Sequence, residues 1–377
     1  MRPCNWAILL VLCIGIWLPL IQHTGSPLDA TTEYLIAHGN NLPNISVIVT
    51  GGTICGAAES PTNTTHYRAG ALHFDDVIRE LRKPLSKFAN VVPYQIMSID
   101  SVDMGSSHMI AISRMITEQV QRPNVTAVVV IGGTSAISEL AFCLGVTVKS
   151  NKPIVLTGAL MPHTAYNADG PGNIIDAVRL AATPGWSEEY HEVATVMNGS
   201  IALPWGTRKE GNQLKPGFGS WIGNINSSGI YFKDLPGRYA PTKFNISGLS
   251  PTDPLPEVVI ITVCSGFEAE LVRMAIVEGT QGIVLLVYDD GYIPQKAGRE
   301  IEVLLEQYDI VIVAASYSPP GIVVHERIAG VIPGGDWDPR QLRILLQFHI
   351  LEESDRKDIA ESITRGPKAT TDKNMGV

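Results

Sequence analysis

The stretch that decides the fold reads Ile45-Ser46-Val47-Ile48-Val49-Thr50-Gly51-Gly52-Thr53, an apolar strand that runs into a glycine turn and a threonine. The same pattern recurs where Gly132-Gly133-Thr134-Ser135 follows a second apolar run. Glycines let the backbone turn sharply and bring N–H groups close to a substrate oxygen. A threonine at such a strand end is where an α/β enzyme would present a hydroxyl nucleophile. The two turns therefore favour amide-bond hydrolysis without a metal.

Short apolar runs alternate with segments of helical spacing from about residue 41 onward. The predicted strands are 45–50, 127–131, 154–157, 193–197, 258–263, 282–288 and 310–315, and the predicted helices are 135–146, 173–182, 268–277 and 298–307. A last helix is predicted to begin at the N-cap Asp338, with Pro339 at its first position. Continuous apolar strands separated by helices indicate a parallel sheet covered on both faces.

The expected fold class is α/β, with a larger N-terminal parallel-sheet domain and a smaller C-terminal α/β domain. The N-terminal domain is predicted over residues 41–230 and the C-terminal domain over residues 258–352. Residues 231–257 hold several prolines and few apolar runs, which is typical of a linker. Residues 353–377 are polar and are expected to form a frayed tail.

Composition limits the class of partner. The chain has 377 residues, is 45% hydrophobic and carries a formal net charge of −9. This length allows two domains, and the acidic balance argues against a nucleic-acid partner, which would call for a basic face. A small neutral or zwitterionic amide substrate is compatible with this charge.

The N-terminus has the pattern of a secretory signal peptide, predicted over residues 1–25. Arg2 precedes an apolar run at residues 6–21, which is shorter than the roughly 20 residues that span a bilayer, and small and polar residues follow. An uncleaved signal anchor is the alternative, and no stable membrane span is expected elsewhere. Six glycosylation sequons also favour a secreted glycoprotein: Asn44, Asn63, Asn124, Asn198, Asn226 and Asn245.

Five cysteines fall to three once the signal peptide is removed: Cys55, Cys143 and Cys264. All three lie in or beside apolar segments, so we expect buried free thiols that pack as small hydrophobic residues. No cysteine and histidine cluster has metal-ligand spacing, and no dinucleotide or phosphate-binding glycine motif occurs. No cofactor and no metal are expected.

The candidate catalytic residues are Thr53, Tyr67, Thr134 and Lys152. A threonine hydroxyl needs a partner that takes its proton, and Tyr67 follows a small, lid-like segment after Thr53. Thr134 heads a predicted helix, and Lys152 precedes the neighbouring strand, where its amine could act as a base. Each feature also has a plain structural explanation, because either turn can be only a tight turn with a helix cap. The acidic pair Asp289-Asp290 is predicted to be a surface turn.

Several motifs resemble those of the bacterial-type L-asparaginase family, in its secreted type II-like branch. They are Thr50-Gly51-Gly52-Thr53-Ile54, the segment 152–159, the segment 168–173, Val196-Met197-Asn198 and the segment 342–347. The resemblance covers about residues 41–352. It implies two α/β domains and a homotetramer of intimate dimers, with sites completed across subunits. It also implies that Thr53 is the nucleophile and Tyr67 the lid tyrosine, that Ser101 holds the substrate α-carboxylate, and that Thr134 and Lys152 belong to a threonine–lysine–aspartate group.

The chain departs from the family pattern at the groups that hold the substrate ammonium. Ser135 stands where the resemblance implies the aspartate of that group, and Val102 stands where it implies glutamine or glutamate. Gly266 aligns near the family asparagine of the C-terminal domain, and Glu326 is a possible substitute for the acidic residue donated across the dimer. The predicted substrate-binding residues are therefore Ser101, Val102, Thr134 and Ser135.

These observations predict a secreted amidohydrolase that converts L-asparagine to L-aspartate and ammonia. Two alternatives stay open from the sequence. One is an amidohydrolase of shifted specificity, acting on an amide without a free α-ammonium group. The other is a catalytically impaired secreted protein that binds a ligand or a surface.

Overall fold

The computed structural model describes residues 41–205, 207–210, 213–215, 220–233, 242–317 and 321–364. The predicted signal peptide and residues 365–377 of the predicted tail lie outside these ranges. The cysteines Cys4 and Cys13 lie outside them as well.

Ten strands form the N-terminal part of the described chain. In chain order they are β1 (Asn44–Gly51), β2 (Asn90–Ile99), β3 (Ala127–Ile131), β4 (Ile154–Thr157), β5 (Val193–Met197), β6 (Ser200–Ala202), β7 (Arg208–Glu210), β8 (Gln213–Lys215), β9 (Trp221–Asn226) and β10 (Gly229–Phe232). Strands β7 and β8 form a separate hairpin, and the other eight form one sheet in the order β10-β9-β6-β5-β4-β3-β1-β2. Strands β2, β1, β3, β4 and β5 are parallel, whereas β6, β9 and β10 are joined in antiparallel pairs. The predicted parallel sheet is confirmed, and an antiparallel extension adds to it.

Helices cover the inner parallel strands β1, β3, β4 and β5, whose residues are almost all buried. The helices of this part are α1 (Phe74–Ile78), α2 (Arg82–Leu85), α3 (Ser106–Gln121), α4 (Ile137–Thr147), α5 (Gly170–Ala182) and α6 (Trp186–Glu189). Every residue of β3 is at most 1% exposed, as a strand covered from both sides requires. Helix α4 begins two residues later than predicted, and α5 begins at Gly170, with Pro171 in its first turn.

The C-terminal part contains a smaller, fully parallel sheet. Its strands are β11 (Val258–Thr262), β12 (Gly282–Val287), β13 (Val311–Ser316) and β14 (Ile332–Pro333), paired in that order. Its helices are α7 (Glu270–Val277), α8 (Gln295–Gln307), α9 (Pro339–Leu351) and α10 (Arg356–Thr364). Asp338 caps α9 as predicted, because its carboxylate accepts the Arg340 N–H at 2.9 Å.

Helix α9 belongs to the C-terminal part but packs against the N-terminal part as well. The Phe348 ring stacks on Phe244 at 5.3 Å between centroids. The Gln341 amide donates to the Pro204 carbonyl at 2.8 Å, which ties α9 to the segment after β6. The main hydrophobic core accordingly contains buried residues of both parts, among them Leu345 and Val129.

Two segments predicted as linker and tail contribute to this core. In the predicted linker, Phe244 is buried and the Lys243 ammonium donates to the carbonyls of Gly145 and Val148, at 2.5 and 2.9 Å. In the predicted tail, α10 buries Ile363, whose carbonyl accepts the Trp337 indole N–H at 3.0 Å. The expectation of a frayed end is therefore wrong for residues 356–364.

The cysteine prediction is confirmed for two residues and wrong for the third. Cys55 and Cys143 are buried free thiols, and burial raises the pKa of each to about 12. Cys264 is a free thiol but is exposed, because it lies just beyond the end of β11, where the sheet no longer covers it.

Candidate functional site

The two glycine turns lie at a reversal point of strand order in the larger sheet. Strand β1 lies between β2 and β3 in the sheet. The chain continues from β1 to β2 on one side, whereas β3 lies on the other side of β1 and is followed by β4, still farther from β2. Connections diverge at such a point, and a crevice opens at the carboxyl ends of the strands. Thr53 follows β1 directly, and Thr134 follows β3.

The two turns touch each other through glycine backbone. Gly52 has a φ of +77°, and a Cβ atom placed on it would lie 2.3 Å from the Gly133 Cα atom. Only glycine fits this combination of backbone angle and close approach without a shift of the backbone. The sequence places glycines at both positions, and the turn that carries Thr53 consequently rests directly on the turn that carries Thr134.

Thr53 and Tyr67 form the closest hydroxyl pair of the site. A hydrogen bond of 2.8 Å joins Thr53 Oγ1 and Tyr67 OH. Gly56 permits this approach, since a Cβ there would lie 3.0 Å from the Tyr67 ring. An antiparallel bridge between Ala57 and Arg68 brings the chain back from the loop to the site. The structure thus brings together the predicted nucleophile Thr53 and the tyrosine that the sequence predicted to assist it.

The lid-like segment between them is held by the loop that follows β4. The Ala58 N–H donates to Thr164 Oγ1 at 2.9 Å, and the Tyr166 N–H donates to the Pro61 carbonyl at 3.1 Å. These two hydrogen bonds place the loop from Ala58 to Pro61 beside the site. Because both donors are backbone groups, the contact depends more on the course of the chain than on the side chains of the lid.

Ser101 and Ser135 meet on the other side of the turns. Ser101 is 4% exposed, and its Oγ accepts the backbone N–H of Ser135 at 3.1 Å. Val102 is 71% exposed, and its N–H donates to the Asp100 carboxylate at 3.3 Å. The predicted binding residues Ser101 and Ser135 are therefore in contact, while Val102 presents an apolar side chain to solvent beside them.

Lys209 is a site residue that the sequence analysis missed. It lies on β7, and its Nζ donates to Ser135 Oγ at 3.4 Å. Thr134 is 2% exposed and packs its methyl group against Gly158. The only sequence signal for Lys209 is its position in a short segment after β6, and no chemistry-specific spacing marks it. Its proximity to Ser135 arises from tertiary structure.

The structure corrects the prediction for Lys152, because this residue lies at the edge of the sheet opposite to the edge that carries Thr134. Strands β3 and β4 are parallel, with Val128 opposite Ile154, so Lys152 lies before the amino end of β4. Thr134 lies beyond the carboxyl end of β3. The Lys152 ammonium instead donates to the Arg122 carbonyl at 2.7 Å. The lysine beside the site is Lys209.

Comparisons with known proteins agree with this architecture. The family model described as asparaginase, N-terminal, matches residues 44–226, and the model described as glutaminase/asparaginase C-terminal domain matches residues 257–362. L-asparaginase 2-3 of Saccharomyces cerevisiae is 31% identical over 339 residues, covering 86% of this chain and 90% of that protein. The chain belongs to the asparaginase family.

Two further relatives of this asparaginase-family chain extend the comparison. L-asparaginase 2 of Bacillus subtilis is 29% identical over 328 residues, covering 85% of each chain. A solved structure of a probable cytoplasmic L-asparaginase from Campylobacter jejuni has a TM-score of 0.78 and 28% identity, covering 86% of this chain and 99% of that one. The resemblance stated from the motifs is thereby confirmed, together with the two-domain α/β fold.

In this asparaginase-family chain, the remaining candidates lie in the C-terminal domain. Gly266 follows β11 and is exposed, with a φ of +78°. Glu326 accepts the Gly330 N–H at 2.7 Å and lies 3.8 Å from the Arg356 guanidinium. Asp290 lies in a surface turn, as predicted, and its carboxylate accepts the Val324 N–H at 3.1 Å.

Neither a metal-binding cluster nor a membrane-spanning helix occurs within the described ranges. No group of three or more histidine, cysteine, aspartate or glutamate residues within those ranges is placed to hold a metal ion. No helix within them is long and apolar enough to cross a membrane.

Proposed function

We propose that this chain is a secreted amidohydrolase that releases ammonia from the side-chain amide of L-asparagine, with Thr53 as nucleophile. The observation that carries the proposal is the 2.8 Å hydrogen bond between Thr53 and Tyr67, at the crevice between β1 and β3. A hydroxyl paired with a second hydroxyl that can relay its proton, beside glycine turns that expose backbone N–H groups, has the parts that acyl transfer needs. The names of relatives, such as L-asparaginase 2 of Bacillus subtilis, favour asparagine as substrate.

The proposed reaction has two balanced steps. Thr53 Oγ1 attacks the amide carbon and its proton passes to the Tyr67 oxygen, while Tyr67 gives its own hydroxyl proton to the amide nitrogen. The C–N bond then breaks, the nitrogen leaves as NH3, and Tyr67 is again a neutral hydroxyl. The product of this step is an ester between Thr53 and the acyl group. Water then attacks the ester carbon, which releases the carboxylic acid and restores the Thr53 hydroxyl.

The other residues of the site are assigned to substrate binding and orientation. Ser101, Thr134 and Ser135 line the crevice with hydroxyl groups, and Val102 adds an apolar contact at its mouth. Lys209 replaces Lys152 in the proposal, because its ammonium lies beside Ser135. A positive charge there would favour the carboxylate of the substrate and would help to lower the pKa of a neighbouring hydroxyl.

We also propose secretion, glycosylation and a homotetramer of intimate dimers. All six sequon asparagines lie at exposed or partly exposed positions, and the side chains of Asn63, Asn226 and Asn245 accept local backbone N–H groups through their oxygens. Asn44 differs, because its amide nitrogen is a donor to a distant part of the chain. The Asn44 amide donates to the Asn124 carbonyl at 2.9 Å and its oxygen accepts from Asn90 at 3.0 Å, so we expect Asn44 to be unmodified. Endoglycosidase treatment of secreted protein, followed by peptide mass analysis, tests the sequons, and light scattering tests the tetramer.

The decisive experiment compares ammonia release from L-asparagine by the wild-type protein and by Thr53→Ala. Loss of the nucleophile should lower kcat by roughly 10³-fold or more. Thr252→Ala is a matched control, because Thr252 is exposed and its hydroxyl bonds to Ser250 at 2.8 Å, outside the site. Equal rates for Thr53→Ala and Thr252→Ala would contradict the proposal.

Tyr67→Phe tests the proton relay separately. The substitution keeps the ring that packs against Gly56 and removes the hydroxyl that bonds to Thr53. A proton-transfer group contributes about 10²- to 10⁴-fold, so kcat should fall by that factor while the melting temperature stays close to that of the wild type. An unchanged kcat would show that Tyr67 only shapes the lid.

A further inference from the structure

The site carries a positive charge that no carboxylate of the described residues neutralises. Lys209 Nζ donates to the neutral hydroxyl of Ser135. Among the ion pairs of the described ranges, none includes Lys209. The neighbouring turn contributes another neutral group, the Ser101 hydroxyl, which accepts the Ser135 N–H. The described side chains that bond to Ser135 are thus one hydroxyl group and one ammonium.

Two carboxylates close in sequence to Ser101 and Ser135 are engaged elsewhere. Asp100 precedes Ser101, but its carboxylate accepts the Val102 N–H. Glu139 lies one helical turn after Ser135 on α4; burial raises its pKa, and the positive charges of Arg340 and Arg343 act on it from α9. Neither carboxylate contacts Lys209 within the described ranges.

Among the described residues of this chain, a cationic ligand group would therefore meet a lysine and no counter-ion beside Ser135. Like charges brought together out of water repel, whereas a carboxylate placed there gains an ion pair and hydroxyl donors. Val102 adds an apolar surface beside Ser101, because its side chain is 71% exposed. This combination suits a substrate that is anionic and carries an uncharged, partly apolar substituent.

We propose that the site prefers side-chain amides whose α-nitrogen is acylated or absent over the same amides with a free α-ammonium group. In the preferred substrates a carboxylate faces Lys209 and Ser101, and the acyl group contacts Val102. The inference rests on the proposed function, because it uses the same crevice and the same nucleophile. It specifies a substrate class, with N-acylated asparagine as the representative.

The test measures ammonia release from L-asparagine, N-acetyl-L-asparagine and succinamic acid, each with a Thr53→Ala control. We expect kcat/KM to be at least 10-fold higher for the acetylated amide than for L-asparagine in the wild type. Ser135→Asp places a carboxylate beside Lys209 and should shift this ratio at least 10-fold towards L-asparagine. Ser135→Ala is the matched control, since it removes the hydroxyl without adding charge and should keep the wild-type preference.

A binding measurement gives a readout that does not depend on turnover. N-acetyl-L-aspartate should raise the melting temperature of Thr53→Ala at concentrations where L-aspartate does not, and Ser135→Asp in that background should reverse the order. If L-asparagine is turned over as efficiently as the acetylated amide, or if L-aspartate binds as tightly as N-acetyl-L-aspartate, the inference is overturned while the proposed function stands. Absence of ammonia release that depends on Thr53, from all three amides, would overturn the proposed function. In that case, failure of the acetylated ligand to bind selectively would overturn the inference as well.

Discussion

The contact between the two glycine turns predicts a large effect for Gly52→Ala. A methyl group on Gly52 would lie 2.3 Å from the Gly133 Cα atom and 2.4 Å from its nitrogen, and both neighbours are backbone atoms that no side-chain rotation can move. Ordinary contacts of a Cβ begin at 3.4 Å, so the turns must separate by about 1 Å. The φ of +77° with a ψ of −168° is also a conformation that alanine disfavours.

The magnitude follows from these two terms. Backbone strain of this kind costs about 1 to 3 kcal/mol, and forcing an extra methyl group into a packed region costs about 1 to 3 kcal/mol more. The free energy of unfolding should therefore fall by roughly 2 to 6 kcal/mol. For a folded region of this size, the entropy of unfolding converts this loss into a decrease in melting temperature of about 3 to 9 °C.

Catalysis should suffer more than stability, because Thr53 is the residue after Gly52. A displacement of about 1 Å at reacting groups lowers rates by about 10²-fold. The assay combines thermal unfolding with ammonia release from the best substrate. Gly172→Ala is the control, since a Cβ on Gly172 meets nothing within 4 Å and its position lies in α5, where alanine is favoured. A melting temperature and a rate for Gly52→Ala that match those of Gly172→Ala would refute the reasoning.

Three further predictions concern stability and the lysines. His349 is 3% exposed, and burial lowers its pKa to about 4. The neutral buried histidine therefore contributes its full stability above the unfolded pKa near 6.5, and the free energy of unfolding falls by about 3 kcal/mol as pH drops towards 4. Urea unfolding at pH 7 and 4.5 should show this loss in the wild type and not in His349→Gln. Lys243→Met removes the lysine partner of the buried Glu192 carboxylate and should cost about 3 to 5 kcal/mol in urea unfolding, part of which Glu192→Gln restores in the double variant. Lys152→Met should leave the kinetics of ammonia release unchanged, whereas Lys209→Met should lower kcat/KM by about 10²-fold or more.

Each of these has an outcome that contradicts it. The histidine prediction fails if His349→Gln loses as much stability between pH 7 and 4.5 as the wild type does. Additive effects of the Lys243 and Glu192 substitutions would mean that the two side chains do not interact. Equal losses of activity on substituting Lys152 and Lys209 would point to a general effect of charge.

The sequence predicted elements best where strands are fully buried. Strands β3, β4 and β5 have the predicted bounds, because each is a continuous run of mostly apolar residues that ends on both sides at residues unsuited to a buried strand. Strand β2 was missed, since Pro93 lies inside it and a proline argues against a strand. The structure explains the exception. Strand β2 is at the edge of the sheet, so one of its sides has no neighbouring strand, and a proline without an N–H group is tolerated in such a strand.

Strand ends made two residues of the site predictable. Thr53 and Thr134 could be located because the carboxyl ends of neighbouring parallel strands meet at one edge, which makes proximity a consequence of topology. Lys209 could not, because it reaches Ser135 from a short hairpin whose orientation depends on tertiary packing. Lys152 was misplaced for a related reason: a residue before a parallel strand lies at the edge away from the crevice.

The position of helix α9 means that the two halves of this protein share one cooperative unit. Family matching divides the chain near residue 257, yet α9, on the C-terminal side, contributes Phe348 to a stack with Phe244 and bonds Gln341 to Pro204. A fragment ending at the matched boundary would expose the apolar surface that α9 covers, and the complementary fragment would lose its cover as well. The boundary in sequence is thus not a boundary in folding, and neither half should be stable as an independent polypeptide.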